Sequence, residues 1–410
     1  MNDEAAGAAT LARDAEAPAR RGYAAAPAQP TQSGPAGLRF DFNEGCRVVA
    51  PQDPAGWRVR LSDGETGNVL IDTSLAGGEV RSARRHFVPF RIEVWRGGAL
   101  MLDHRFDPHG RPVLIQFPAG TLGDTIAWFP QAARFAQLHG CTLACAMPAT
   151  LIPLFAGAYP AIEFLTLEQV RPERYYAKYV MVLHFNDLRC EHQRLPYQSV
   201  GLQQAGAHLL GLAPREIRPA IALAPAPRPI SQPYVCVAAH STMQAKFWNN
   251  PSGWREVVAF LKQAGYRVVC IDQKPVHGEG AVWTAIPEGA EDQTGSRPLL
   301  ERAHWLAHAE FFVGLSSGLS WLAWALGRPV VLISGFTHPT NEFATPYRVI
   351  NYHACNSCWN DVRLRFDHGD FLWCPRHKDT PRQFECSRLI TAAQVTGAIA
   401  RIPGFGRAAV

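Results

Sequence analysis

The run Pro112-Val-Leu-Ile-Gln-Phe117, with the loop Pro118-Ala-Gly-Thr-Leu-Gly-Asp124 behind it, decides the fold. An apolar run without polar alternation is the pattern of a strand covered on both faces. Residues 125–138 then carry a helical pattern, and Cys141-Thr-Leu-Ala-Cys-Ala146 reads as a second apolar strand. Strand, glycine loop, helix and strand make a βαβ unit of a parallel sheet. A second series of the same texture starts at Tyr234-Val-Cys-Val-Ala-Ala239. It continues through a helix over 253–264, the strand Tyr266-Arg-Val-Val-Cys-Ile271, a helix over 299–309 and the strand Phe311-Phe-Val313. A helix through Trp321-Leu-Ala-Trp-Ala-Leu326 and the strand Pro329-Val-Val-Leu-Ile333 close it. Residues 212–233, rich in Pro and Ala, read as the linker between the two series. The expected class is therefore α/β, with Rossmann-like domains over 111–230 and 231–350. Two such domains facing across a cleft suit a donor nucleotide in the second and an acceptor in the first.

Outside these series the texture differs. Residues 1–37 are mainly Ala, Pro, Gly and Gln and lack the apolar stretch of a signal peptide, so a disordered leader is expected. Residues 38–110 hold short alternating runs, among them Arg58-Val-Arg-Leu61 and Phe90-Arg-Ile-Glu-Val-Trp95, broken by Asp-Gly and Gly-Gly turns. That predicts a small antiparallel β domain. A C-terminal helix or tail is expected over 391–410. With 410 residues, 47% hydrophobic and 18% charged, the chain is of globular composition, and no apolar run is long enough for a membrane span. The net charge of +5 is dispersed along the chain, which argues against a nucleic-acid partner. Six of the ten cysteines (Cys46, Cys141, Cys145, Cys190, Cys236 and Cys270) sit mostly in apolar contexts. Buried free thiols fit a reducing, cytoplasmic location.

The other four cysteines, Cys355, Cys358, Cys374 and Cys386, fall within 351–390 at intervals of two, fifteen and eleven residues. A C-x2-C knuckle with a returning pair is the spacing of a metal clip, the alternative being free thiols scattered in a loop. The window offers few core-forming runs, so a tetrathiolate ion would hold it together. Zinc is the general expectation for four sulfurs, and iron is the alternative. A filled site of this kind is structural.

Three loops line the presumed cleft. Gly120-Thr121-Leu-Gly123-Asp124 follows the first strand, where ligands of open parallel sheets bind. Asp124 is either a catalytic base or a helix N-cap. The second loop, His240-Ser-Thr242-Met-Gln244-Ala-Lys246, pairs hydroxyls with a lysine suited to phosphate, or else carries a solvated surface lysine. In the third, Gly314-Leu-Ser316-Ser317-Gly318-Leu319-Ser320, small residues open a helix and can offer amides to an anion, or form a simple tight turn. The helix behind it, with Trp321 and Trp324, reads as core.

Taken together, Gly120-Thr-Leu-Gly-Asp124, Gln244-Ala-Lys246-Phe-Trp-Asn249, Gly314-Leu-Ser-Ser-Gly-Leu-Ser320 and the cysteine clip resemble the bacterial autotransporter heptosyltransferases, relatives of the lipopolysaccharide heptosyltransferases. The resemblance covers most of the chain beyond residue 38. It implies a GT-B glycosyltransferase that moves heptose from ADP-heptose to serine hydroxyls of autotransporter adhesin passenger repeats. It further implies iron on the four cysteines and a large ring, a dodecamer. Carried over, Asp124 is the acceptor-activating base and Lys246 neutralises the departing diphosphate. Ser316, Ser317, Gly318 and Leu319 contact that diphosphate, and Gly120, Thr121, Gly123, Thr242 and Gln244 belong to the same donor pocket. Phe336, Thr337, His338 and Asn341 border it. Transfer is expected to be metal-independent, because the cleft loops carry no carboxylate cluster suited to magnesium. The competing readings are a lipopolysaccharide core heptosyltransferase and an inactive ring-forming adaptor. The β domain and the clip, with no basic amphipathic helix for membrane docking, weigh against the first. Asp124 and Lys246 weigh against the second.

Overall fold

The structure is a computed structural model, and it describes residues 22–406. Two parallel sheets organise it. The first runs Glu163–Leu165, Thr142–Ala146, Pro112–Gln116, Ala177–Val180 and Arg39–Asn43 in spatial order, all parallel. Val113, Leu114 and Ile115 are fully buried, as a strand covered on both faces requires. The second sheet is parallel throughout. Its order is Glu291–Asp292, Arg267–Cys270, Tyr234–Val237, Phe312–Leu315, Val330–Ile333 and Arg348–Val349.

The N-terminal strands are shared between two sheets. Trp57–Asp63, Val69–Leu75, Phe90–Arg96 and Ala99–Arg105 form the expected antiparallel sheet. Arg39–Asn43, Arg47–Ala50 and Gly78–Arg81 instead extend the first parallel sheet. Position 110 is therefore no break between separate sheets.

The expected leader also needs correcting. Residues 1–21 lie outside the described residues, but 22–37 lie against the first sheet. The Gln116 side-chain amide accepts from the Ala24 N–H (3.0 Å) and donates to its carbonyl (3.3 Å). The buried Lys178 ammonium donates to the same carbonyl at 2.6 Å. Arg47 donates to the Pro27 carbonyl at 3.0 Å. A segment poor in apolar residues is fixed here by its backbone. Residues 212–233 form no helix or strand and run along the first unit, pinned where Gln203 bonds both sides of Ile217.

The helices Leu122–His139 and Gly318–Ala325 join the two halves. Their N-terminal turns touch. A Cβ on Gly318 would come within 2.7 Å of Leu122 Cβ, and one on Gly123 within 3.0 Å of Trp321 Cδ1. Only glycine permits that approach. Behind the contact Trp321 and Trp324 are buried against Phe343, their ring centroids 5.0 and 5.2 Å from it. The core is thus continuous from one sheet to the other. A second core, under the far face of the second sheet, holds the C-terminal helix Ala392–Ala400. Among the described residues no helix is long and apolar enough to cross a membrane.

Candidate active site and cysteine cluster

The first strand delivers its loop to the cleft, and Gly120 turns it in the left-handed region (φ 64°). Thr121 occupies the N-cap position of Leu122–His139, which places Asp124 in the first turn of the helix. The Thr121 hydroxyl donates to the Asp124 carboxylate. The N-cap alternative for Asp124 is therefore not the geometry found. Burial pushes the Asp124 carboxyl above its ordinary value, while the Thr121 bond and the Lys246 charge pull the other way. The helix dipole also favours a negative charge in this turn.

Lys246 comes from the other half, in the short turn Gln244–Lys246 behind the strand Tyr234–Val237. Its ammonium stands 5.6 Å from the Phe336 ring centroid and 5.9 Å from that of Trp359. Burial lowers its pKa, and the charges of Asp124 and Glu342 oppose that drop. Asp124 and Lys246 thus come from different halves of the chain, each within electrostatic reach of the other.

Ser317 caps Gly318–Ala325, but its hydroxyl makes no cap bond and is buried without a partner. Such a group invites a ligand oxygen at a helix N-terminus. Ser316 is already engaged, donating to Glu342 at 2.6 Å. Leu319 lies in the same first turn. Thr242 is exposed at the lip of the cleft. Gln244 points into its own loop, donating to Asn249 Oδ1 at 2.6 Å, and Asn249 returns bonds to the Gln244 and Phe247 carbonyls. Thr337 is buried against Ser334 and Arg348. The His338 ring is exposed and meets the Thr340 hydroxyl at 2.9 Å. The Asn341 side chain accepts from Trp359 Nε1 at 3.0 Å.

Two further groups were not among the expected site residues. Glu342 is buried, ion-paired with Arg348, and net-stabilised as a carboxylate below its ordinary pKa despite burial. It holds Ser316 and adds negative potential at Lys246. The sequence trace was one acid between Asn341 and Phe343, with an arginine six residues on. His240 is buried with both ring nitrogens unpartnered, 3.7 Å from the buried Asp272 carboxylate and tilted 29° against Phe247.

The cysteine segment lies beside this site. Burial raises the thiol of Cys358 to about 12, and the nearby Cys355 and Cys374 add to it. Cys386 is raised chiefly by burial as well, and the neighbouring Cys358, Cys355 and Cys374 add to it. Among the described residues these thiols do not form a compact four-sulfur ligand set: the group of potential metal ligands that closes up takes only Cys355 from the four. Arg376 donates to Cys355 Sγ at 3.6 Å. His377 and Glu385 also approach: their ligand atoms and Cys355 Sγ lie within 4.8 Å of one another. Glu385 is occupied, however, by Arg382 (2.7 and 2.6 Å) and the Cys355 amide (3.1 Å). The segment is less bare than its sequence suggests. Trp359, Phe366, Trp373 and Phe384 share a small core with Met243 and Phe336 of the second unit. Of the other cysteines, Cys46, Cys145, Cys236 and Cys270 are buried and unbridged, while Cys141 and Cys190 are partly exposed.

Comparison with known proteins decides the family. The autotransporter heptosyltransferase BAHTCr of Citrobacter rodentium is 52% identical over 378 residues, 92% of this chain and 91% of the relative. The chain belongs to the autotransporter heptosyltransferases. Residues 190–364 match the model of glycosyltransferase family 9 (heptosyltransferase), and residues 34–98 match that of the glycosyltransferase TibC N-terminal domain. A crystal structure of TibC, from enterotoxigenic Escherichia coli, superposes with a TM-score of 0.88 at 50% identity, over 92% of this chain and 98% of that one. That protein is described as a dodecameric iron-containing heptosyltransferase in complex with ADP-D-β-D-heptose. Membership makes the α/β glycosyltransferase fold secure. It leaves activity to be argued, because a third family member, BimC of Burkholderia thailandensis, is named inactive at 49% identity over 94% of this chain and 90% of its own length.

Proposed function

We propose that this chain is an active GT-B enzyme that transfers heptose from ADP-heptose to serine hydroxyls of an autotransporter adhesin passenger domain. Asp124 takes the serine proton as the serine oxygen forms its bond to the anomeric carbon. The bond from that carbon to the diphosphate breaks, and ADP leaves with the electron pair. Lys246, the Ser317 hydroxyl and the amides of Gly318 and Leu319 receive the growing charge on the diphosphate. The observation that carries this reading is the pairing between the two halves of the chain. A carboxyl made more basic by burial stands within electrostatic reach of a partly desolvated lysine, beside a capping hydroxyl that has no partner. A general base is most effective as its pKa rises toward working pH.

Iron is the ion we assign to Cys355, Cys358, Cys374 and Cys386, in line with the description of TibC. It would crosslink the segment. We further propose the cytoplasm as the location and a large ring of identical subunits as the assembly. The inactive adaptor is the second reading, and BimC is the observation in its favour. Calorimetric titration with ADP, followed by measurement of ADP release from ADP-heptose with a passenger fragment present, separates the two. An enzyme binds ADP and releases it in step with acceptor. A protein that does neither is an adaptor.

A further inference from the structure

Trp359 directly follows the second clip cysteine, yet it faces the cleft. Three contacts define its place. Its ring receives the Lys246 ammonium at 5.9 Å, opposite Phe336, whose ring lies 5.7 Å from that of Trp359. Its indole N–H donates to Asn341 at 3.0 Å. It also packs edge-on with Tyr197 of the first unit, at 5.0 Å between centroids. The next residue, Asn360, extends the same link. It accepts from the His338 N–H at 2.8 Å and donates to the Gln198 carbonyl, also in the first unit, at 3.1 Å.

Lysine side chains are flexible, with about 2 kcal/mol of rotamer entropy. Neither salt bridge nor hydrogen bond fixes the Lys246 ammonium among the described residues; the Asp124 and Glu342 charges attract it without contact, and the two aromatic faces flank it. One face belongs to the second unit and the other to the cysteine segment. We propose that Trp359 is a positioning residue for the diphosphate-binding lysine, with Asn360 as its tether to the loop bearing His338. The cysteine segment then forms part of the active-site wall and locks the two halves of the cleft in register.

The inference rests on the proposed role of Lys246, so its test is built to fail separately. ADP affinity is measured by calorimetry on the full chain, with iron content and oligomeric mass determined on the same samples. Trp359→Leu removes the ring and should weaken ADP binding about tenfold, the scale of a partly desolvated cation–π contact. Trp359→Phe keeps a face for the ammonium and should recover most of that affinity. In a Lys246→Ala background, Trp359→Leu should change ADP affinity by less than about twofold, because the lysine it acts through is gone. Iron content and mass should match the parent in every case. Unchanged ADP affinity in Trp359→Leu would overturn the proposal. So would an equal loss in the Lys246→Ala background, or iron lost in step with affinity. Wild-type protein that binds ADP but transfers no heptose would defeat the catalytic reading while leaving this test legible.

Discussion

Asp124→Asn separates chemistry from stability, because the two should move in opposite directions. The substitution keeps shape and a hydrogen-bonding oxygen for Thr121 while removing the charge and the basicity. Loss of a positioned general base costs roughly a hundredfold to ten-thousandfold in rate, or about 3–5 kcal/mol of transition-state stabilisation. Stability follows the pKa instead. Asp124 is raised above its ordinary 3.8 by burial, against the opposing effects of Thr121 and Lys246. An acid with a raised folded-state pKa contributes stability that is present below the unfolded value and lost as pH rises through the folded one. At neutral pH the ionised carboxylate is therefore a net burden on the fold. The first-turn dipole term, about 0.3–1 kcal/mol, offsets only part of it. The asparagine variant should melt at or slightly above wild type at pH 7, and this advantage should vanish toward pH 4. The assay combines initial transfer rates, ADP calorimetry and thermal unfolding on matched samples. Lost transfer with ADP affinity and melting temperature retained is expected. Full transfer would refute the base, and a sharp fall in melting temperature would make Asp124 structural.

Other predictions follow from the same geometry. Lys246→Ala should weaken ADP-heptose binding and slow transfer together, with only partial recovery in Lys246→Arg, since a planar fork does not replace a point charge; steady-state kinetics at varied donor concentration check this. Glu342→Gln leaves Arg348 buried without its counter-ion and should destabilise the protein by about 3 kcal/mol, read by denaturant unfolding. Because the Glu342 pKa is depressed, its contribution is present above the ordinary 4.5 and fades as pH falls through the lower folded value, so the cost should shrink in acid. Serine in place of any one of Cys355, Cys358, Cys374 or Cys386 should release about one metal ion per chain in elemental analysis. Cys236→Ser should leave metal content intact. Iron in the wild-type protein supports the assignment, and zinc would replace it.

The parallel strands were legible because burial on both faces writes a continuous apolar run, as at Val113, Leu114 and Ile115. The loops after them were legible because strand ends and helix starts impose small and polar residues. What escaped has partners remote in sequence. Residues 22–37 lack any apolar period and are fixed by Gln116, Lys178 and Arg47, which no local pattern could supply. The hairpin Val276–Glu279 with Val282–Ala285 was missed for its mixed His, Gly and Glu content. Asp124 and Lys246 could be named from their loops, but their approach to each other depends on the glycine contact between two helices. Trp359 reads only as a neighbour of Cys358 until the fold brings Lys246 to its face.

The account stands on transfer to serine. The most direct measurement is mass spectrometry of an autotransporter passenger fragment after incubation with ADP-heptose and wild-type, Asp124→Asn or Lys246→Ala protein. The account predicts heptosyl increments located on serines with the wild type, and their near-absence with both variants. An unmodified fragment beside wild-type protein, or equal modification by all three, would contradict it.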